Sequence, residues 1–317
     1  MGRYPDGVRH SASRALLAAL GCAGGLVATG VVAFVWPVAR AHDAASLAGF
    51  LSLGAYPFLA DAANTLASSV DAVHYAVVGL ALVSIALVRR RPRLALAVPL
   101  TMLGATATTA ALKPLVAHVR YSTWLGPGHQ VAAASWPSGH ATAAMAVALC
   151  SVLIAPAVLR PLVALLGSTL AIGVGYSTLI LGWHFPSDVL GGFMVAGLWL
   201  SLSLALLWWS EQRWPVSEGI AVGGVIGPRT LVAWSMVVAV GCGLAVAALI
   251  EHRRLAATDV QVHASLIVGA LAIASAAALM VFAVAVALRP FNGGSRDPTK
   301  APHPVGFRFK KADRPTG

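Results

Sequence analysis

The residues with a capacity for chemistry fall in three short stretches of an otherwise apolar chain. ALKPLVAHVRY carries Lys113 and Arg120, WPSGH carries Ser138, Gly139 and His140, and LGWHFPSD carries His184 and Asp188. Together these types suit attack on a phosphate ester. An imidazole is a nucleophile through one ring nitrogen when an acceptor holds the proton on the other. Asp188, four residues after His184, is placed to be that acceptor. His140 can protonate the leaving oxygen, while Lys113 and Arg120 supply cationic donors for phosphoryl oxygens. Pro137 suits the first turn of a helix, where its missing N–H costs nothing. The free N–H groups around Ser138 and Gly139 are then expected to face an anion, with the helix dipole behind them, and Gly139 lets the backbone come close. Pro186 argues against one unbroken helix through His184 and Asp188, so His184 is expected on a turn and Asp188 in the first helical turn after it.

Each residue taken singly has a plainer reading. Lys113 alone is a snorkelling side chain at the end of a span, and Arg120 alone a loop charge. Ser138 and Gly139 alone mark a helix start, and Asp188 alone a favourable charge in a first turn. His118 and His129 are left as interfacial histidines. The plainer readings weaken together, because five unrelated accidents would have to meet on one face.

The elements that position these residues are membrane helices. Of the 317 residues 58% are hydrophobic and 10% charged, against roughly 25% charged in soluble domains. Apolar runs long enough to cross a ~30 Å hydrocarbon layer recur. They predict an all-α polytopic bundle with eight spans, at Ala15–Trp36, Asp71–Val88, Leu94–Leu112, His140–Leu159, Pro161–Leu181, Val189–Trp209, Leu231–Ile250 and Ser265–Leu288. Ala45–Ala60 is short and interrupted by Pro57, so it reads as interfacial or re-entrant. No small-residue cleavage site follows Trp36, so the first run reads as a span and not a signal. Cys22, Cys150 and Cys242 each sit in an apolar run and read as small hydrophobes.

With the N-terminus inside, seventeen of the 22 Lys and Arg fall on inner segments, including Arg89, Arg90, Arg91, Arg93 and Arg160. That satisfies the positive-inside rule and accounts for the +11 charge without a nucleic-acid partner. It puts both termini in the cytoplasm and all three stretches outside. A helix rises about 1.5 Å per residue, so the fourth span descends, the fifth returns, and His140 and His184 are expected as neighbours. The division is a cytoplasmic N-terminus at 1–14, a six-helix core at 15–209, two further spans with their linker at 210–288, and a basic tail at 289–317 expected to be disordered or on the headgroups. Ala richness and the excess of Arg over Lys fit a GC-rich bacterial genome, hence a plasma membrane.

At these residues the chain resembles the type-2 phosphatidic-acid phosphatase superfamily, which includes lipid phosphate phosphatases, bacterial acid phosphatases and vanadium haloperoxidases. The family pattern runs KxxxxxxRP, PSGH, SRxxxxxHxxxD. Here Lys113 and Arg120 match the first block, with Tyr121 in place of its proline; Pro137, Ser138, Gly139 and His140 complete the second; Ser177, His184 and Asp188 match the third, with Thr178 where the family has arginine. The resemblance implies a six-helix membrane core and a phosphohistidine on His184, oriented by Asp188, with His140 as general acid. Lys113, Arg120, Ser138 and Gly139 would hold the phosphate. It implies no metal and no other cofactor. The substrate would be a membrane lipid phosphate, such as a polyprenyl diphosphate, phosphatidylglycerol phosphate or phosphatidate. Losing the guanidinium at Thr178 could cost ~3 kcal/mol of transition-state stabilisation, by analogy with an oxyanion donor. Three alternatives therefore stand beside hydrolysis: a phosphotransferase using the same intermediate, a lipid-phosphate binder or transporter without turnover, and a structural membrane partner.

Overall fold

The computed structural model describes residues 6–120, 125, 130–213 and 260–288. The expected span Leu231–Ile250 and the tail from Arg289 lie outside the described residues. Within them the chain forms α1 (Asp6–Phe34), α2 (Pro37–Gly54), α3 (Pro57–Ser68), α4 (Ala72–Val88), α5 (Pro92–Leu115), α6 (Gly139–Ile154), α7 (Arg160–Ile180), α8 (Pro186–Arg213) and α9 (Val260–Ala287). Proline opens five of these helices: α2, α3, α5, α7 and α8 each carry one in the first two positions, where it lacks only an N–H that would be unpaired anyway.

Among the described residues five helices are long and apolar enough to cross a membrane: α1 from Ala12, α5, α7, α8 to Ser210, and α9 from Val262. The α3–α4 pair, bent by 49°, passes the same test as one broken span. The expected span His140–Leu159 is shorter than drawn. α6 ends at Ile154 because Ala155, held extended at ψ 140° ahead of Pro156, cannot continue it. Its 16 residues reach about 24 Å.

The stretch set aside as interfacial, Ala45–Ala60, resolves into most of α2 and the start of α3. Two points along α2, at Asp43 and at Gly54, touch the same end of the bundle. Asp43 bonds Ser187 at the start of α8, and Gly54 lies against the carbonyl of Ile180 at the end of α7. In between, Phe50 packs on Tyr176 with ring centroids 5.3 Å apart. α2 therefore lies across the end of the bundle without traversing it, and its inner face, including Leu47, Phe50 and Leu53, is buried.

α1 packs along α8, α6 sits between α7 and α8, and α9 packs against α2 and α7. Small side chains allow close approach, as is usual where lipid offers no hydrophobic drive for association. Gly167 faces Ala148 across α7 and α6, and Gly192 faces the Ser138 carbonyl across α8 and α6. α9, drawn from sequence as an addition to a six-helix core, buries Ala270, Ile273, Ala274, Ala277, Ala278 and Val281 completely.

One end of the bundle is closed by arginines. Arg89 donates to the Ile154 carbonyl at 2.5 Å, and Arg160 donates to Ala155 at 3.2 Å and Leu288 at 2.7 Å. These carbonyls end α6 and α9, where unpaired acceptors and the negative end of the helix dipole favour cations. α6 begins, and α7 ends, at the opposite end of the bundle. The three chemical stretches are gathered there.

Candidate active site

The turn from α7 to α8 places His184. α7 stops because Gly182 takes a left-handed φ of 73°, a conformation open to glycine without strain. Trp183 N–H then donates to the Thr178 carbonyl and Gly182 N–H to that of Leu179. This is the paired closure of a Schellman ending, which satisfies carbonyls the helix would leave bare. Pro186 restarts the chain as α8. Asp188, in the first turn, reaches back so that Oδ2 accepts from the Phe185 N–H at 2.9 Å, the carboxylate half of a capping box. The same Oδ2 lies 3.4 Å from His184 Nδ1, within ionic reach but longer than an ordinary hydrogen bond. His184 thus stands on the turn and Asp188 in the helix, as Pro186 implied.

Arg120 joins this turn to the loop after α5. Its Nη2 donates to Asp188 Oδ1 at 2.5 Å and to Ser135 Oγ at 2.6 Å, and its Nη1 donates to Ser187 Oγ at 3.2 Å. Phe185 covers the guanidinium face at 4.0 Å, a favourable cation–π contact. Arg120 is therefore buried among protein acceptors, where the sequence reading had it facing phosphate.

A second carboxylate completes the cage. Asp43 on α2 accepts from Ser187 N–H at 2.9 Å and Ser187 Oγ–H at 2.6 Å, and its Oδ2 lies 3.7 Å from Arg120 Nη1. It acts as a cap for α8 supplied by another helix, at the positive end of that helix's dipole. Sequence reasoning missed Asp43. The available signal was a lone acid flanking an apolar stretch too short to span.

The PSGH stretch is tied to the same turn. Ser138 caps α6, its Oγ accepting from Ala141 N–H at 3.3 Å, so Pro137 precedes the cap and does not occupy the first turn. The Ser138 N–H, expected to face an anion, donates to the Asp188 carbonyl at 2.9 Å. The Gly139 and His140 amides are left at the open first turn, as at any helix start. Lys113 comes to the same place, its Nζ 3.8 Å from where a Cβ on Gly139 would stand.

His140 Nε2 lies 3.3 Å from Asp71 Oδ1, and its ring lies 5.3 Å from that of Trp183, the neighbour of His184. The two imidazoles are close enough for the charge of one to act on the other. Asp71 was read only as a span boundary; its carboxylate serves His140 and makes no capping bond to α4. Lys113, Gly139, His140, Asp71, Thr109 and Thr142 line a pocket of about 320 Å³.

The remaining positions divide. Thr178 is fully buried, and its Oγ1 donates to the Gly175 carbonyl of its own helix at 2.8 Å. Ser177 is buried beside it. His118 is exposed on the α5–α6 loop, apart from these contacts. Tyr121 and His129 lie outside the described residues.

A family model described as the PAP2 superfamily matches residues 94–214, from the start of α5 through the end of α8. The likeness to the PAP2 superfamily covers 121 of the 317 residues. All three motif blocks fall inside the PAP2 segment, whereas Asp43 and Asp71 lie before it. No curated protein and no solved structure matches the chain. Similarity to the PAP2 superfamily points to a phosphatase-type enzyme acting on phosphate esters, here within a bundle of apolar helices long enough to cross a membrane.

Burial pushes the Asp43 carboxyl up to about 6, against the opposing pull of Arg120 and Ser187. The folded protein therefore holds this proton more tightly than the unfolded chain. The contribution is fully present below the ordinary carboxylate value near 3.8 and is lost as pH rises through about 6. It is on the order of 3 kcal/mol. Melting temperatures of the purified protein between pH 4 and pH 7 should fall more steeply for the wild type than for Asp43→Asn. Equal slopes would show that burial does not govern this carboxyl.

Proposed function

We propose that the chain is an integral-membrane phosphatase that releases phosphate from a lipid phosphate or polyprenyl diphosphate through a phosphohistidine on His184. The observation that carries this reading is the bond from Ser138 N–H to the Asp188 carbonyl. Through it the anion-facing start of α6 and the His184–Asp188 pair share one wall, with Lys113 and His140 beside them.

In this mechanism Asp188 holds the proton on His184 Nδ1 and leaves Nε2 free to attack phosphorus. The 3.4 Å separation closes to a hydrogen bond as the ring gains positive charge, since such bonds are often loose before substrate arrives. The bond from phosphorus to the lipid oxygen breaks, and His140 gives that oxygen a proton. Water then attacks the phosphoryl group on His184, with the now neutral His140 taking its proton, and inorganic phosphate leaves. Lys113 and the amides of Gly139 and His140 hold the equatorial oxygens. Arg120 fixes Asp188 and adds its charge to the field at the phosphate. Asp71 orients His140. No metal takes part, because cations and amides carry the charge. A lipid hydroxyl in place of water makes the same steps a phosphotransfer.

The arginine-lined end, with Arg89 and Arg160, supports a cytoplasmic placement for that end under the positive-inside rule. The site then faces the outside of a bacterial plasma membrane, with both termini in the cytoplasm. One observation favours the non-catalytic binder as a second reading: Thr178 turns its hydroxyl into its own helix where the family carries a guanidinium.

Purified protein incubated in chelator with a panel of lipid mono- and diphosphates should release phosphate, and His184→Ala should abolish the release. Loss of release in chelator would contradict metal independence, and release by His184→Ala would contradict the intermediate. Thr178→Arg should raise turnover by on the order of 100-fold if only a transition-state donor is missing. No gain, in a wild type that is itself inert, would favour the binder.

A further inference from the structure

A second cavity, of about 570 Å³, lies on the far side of the Arg120 cage between α1, α2, α8 and α9. Its volume is that of an ordinary small-molecule site, and it shares Asp43 and Ser187 with the cage. Polarity changes along it. At the mouth Trp36, Val38 and Val268 are 56%, 60% and 66% exposed, whereas at the floor Asp43, Ser46 and Ser187 are buried. The walls between are apolar, with Ala28 and Val32 from α1, Leu190 from α8 and Ala272 from α9.

The floor is incompletely satisfied. Ser46 is 2% exposed, yet its Oγ has no hydrogen-bond partner. A buried hydroxyl left unpaired costs stability, because it gives up its bonds to water and gains none in return. A ligand that brought a donor and an acceptor to this point would recover that cost.

Charge then selects the ligand. Among the described residues no lysine or arginine lines the cavity; its basic group is His42, with Nδ1 3.1 Å from Ser265 Oγ, and its carboxylate is Asp43. Arg120 lies beyond the floor with both terminal nitrogens turned to protein oxygens. A phosphate monoester would bring its anion against a carboxylate with no lysine or arginine to meet it, and His42 is already engaged with Ser265. A hydroxyl suits the floor, because it can donate to Asp43 and pair with Ser46 Oγ. The apolar walls and exposed apolar mouth suit a hydrocarbon tail entering from the bilayer.

We propose that this cavity binds an uncharged long-chain alcohol, with its tail between α1 and α9 and its hydroxyl at Ser46 and Asp43. The binding needs neither His184 nor Lys113, so it stands apart from the phosphatase reading. If that reading holds, the alcohol left by dephosphorylation, or one accepting phosphate, is a molecule of this class.

The test uses the full chain in detergent and a long-chain alcohol carrying a diazirine in its tail and a terminal alkyne. Photolabelling should map to peptides of α1, α2 and α9. Unlabelled alcohol of the same chain should protect at least tenfold better than its phosphate monoester or the matching alkane. Ala28→Phe, which fills the channel, should remove the labelling, and His184→Ala should leave it unchanged. Should Ala28→Phe fail to fold, Ser46→Ala decides, since it should abolish the preference for alcohol over alkane. Equal protection by the monoester, labelling spread over all helices, or a preference that survives Ser46→Ala would overturn the proposal.

Discussion

The guanidinium of Arg120 is the interaction on which the site depends. A cation buried to this degree survives only with anions and acceptors around it. Asp188, Asp43, Ser187 and Ser135 supply them from α8, from α2 and from the loop ahead of α6. Two carboxylates in one cage would repel each other without the cation. Each also accepts an amide at the start of α8, Asp188 from Phe185 and Asp43 from Ser187. The cage therefore converts three separate segments into one rigid corner, and His184 stands on that corner.

The electrostatics of the bundle follow the same logic at larger scale. α6 and α8 both begin at the site end, where bare N–H groups and the positive dipole ends favour anions. α6 and α9 finish at the other end, where Arg89 and Arg160 meet their last carbonyls. One polarity thus serves two purposes. It leaves bare N–H groups at one face, which favour an anion, and it holds the cations Arg89 and Arg160 at the opposite face.

Much of this was legible in the sequence because it is local. The apolar runs set the helices, Pro186 separated His184 from the helix carrying Asp188, and the PSGH stretch marked the start of α6. What escaped was long-range. Asp43 and Asp71 lie outside the three motif stretches, and nothing in their neighbours reveals that one caps α8 and the other meets His140. Arg120 was read as a phosphate donor from its charge and its place in the first motif block; the carboxylates it meets lie 77 and 68 positions away, beyond any local pattern. Pro137 was placed at least two positions too far into α6, because a serine that caps and a serine in a first turn look alike until its side chain is seen to accept from Ala141. The short, Pro-interrupted stretch of α2 and α3 was read as interfacial or re-entrant, and neither the buried face of α2 nor its carboxylate was foreseen.

The claim that this corner does chemistry meets its most direct test in a single-turnover quench. Protein mixed with a lipid phosphate carrying radioactive phosphorus, then quenched in alkali where a phosphorus–nitrogen bond endures, should yield one labelled peptide, the one containing His184, and none from His184→Asn. Phosphate release with no labelled protein, or label carried by any other residue, would contradict the account.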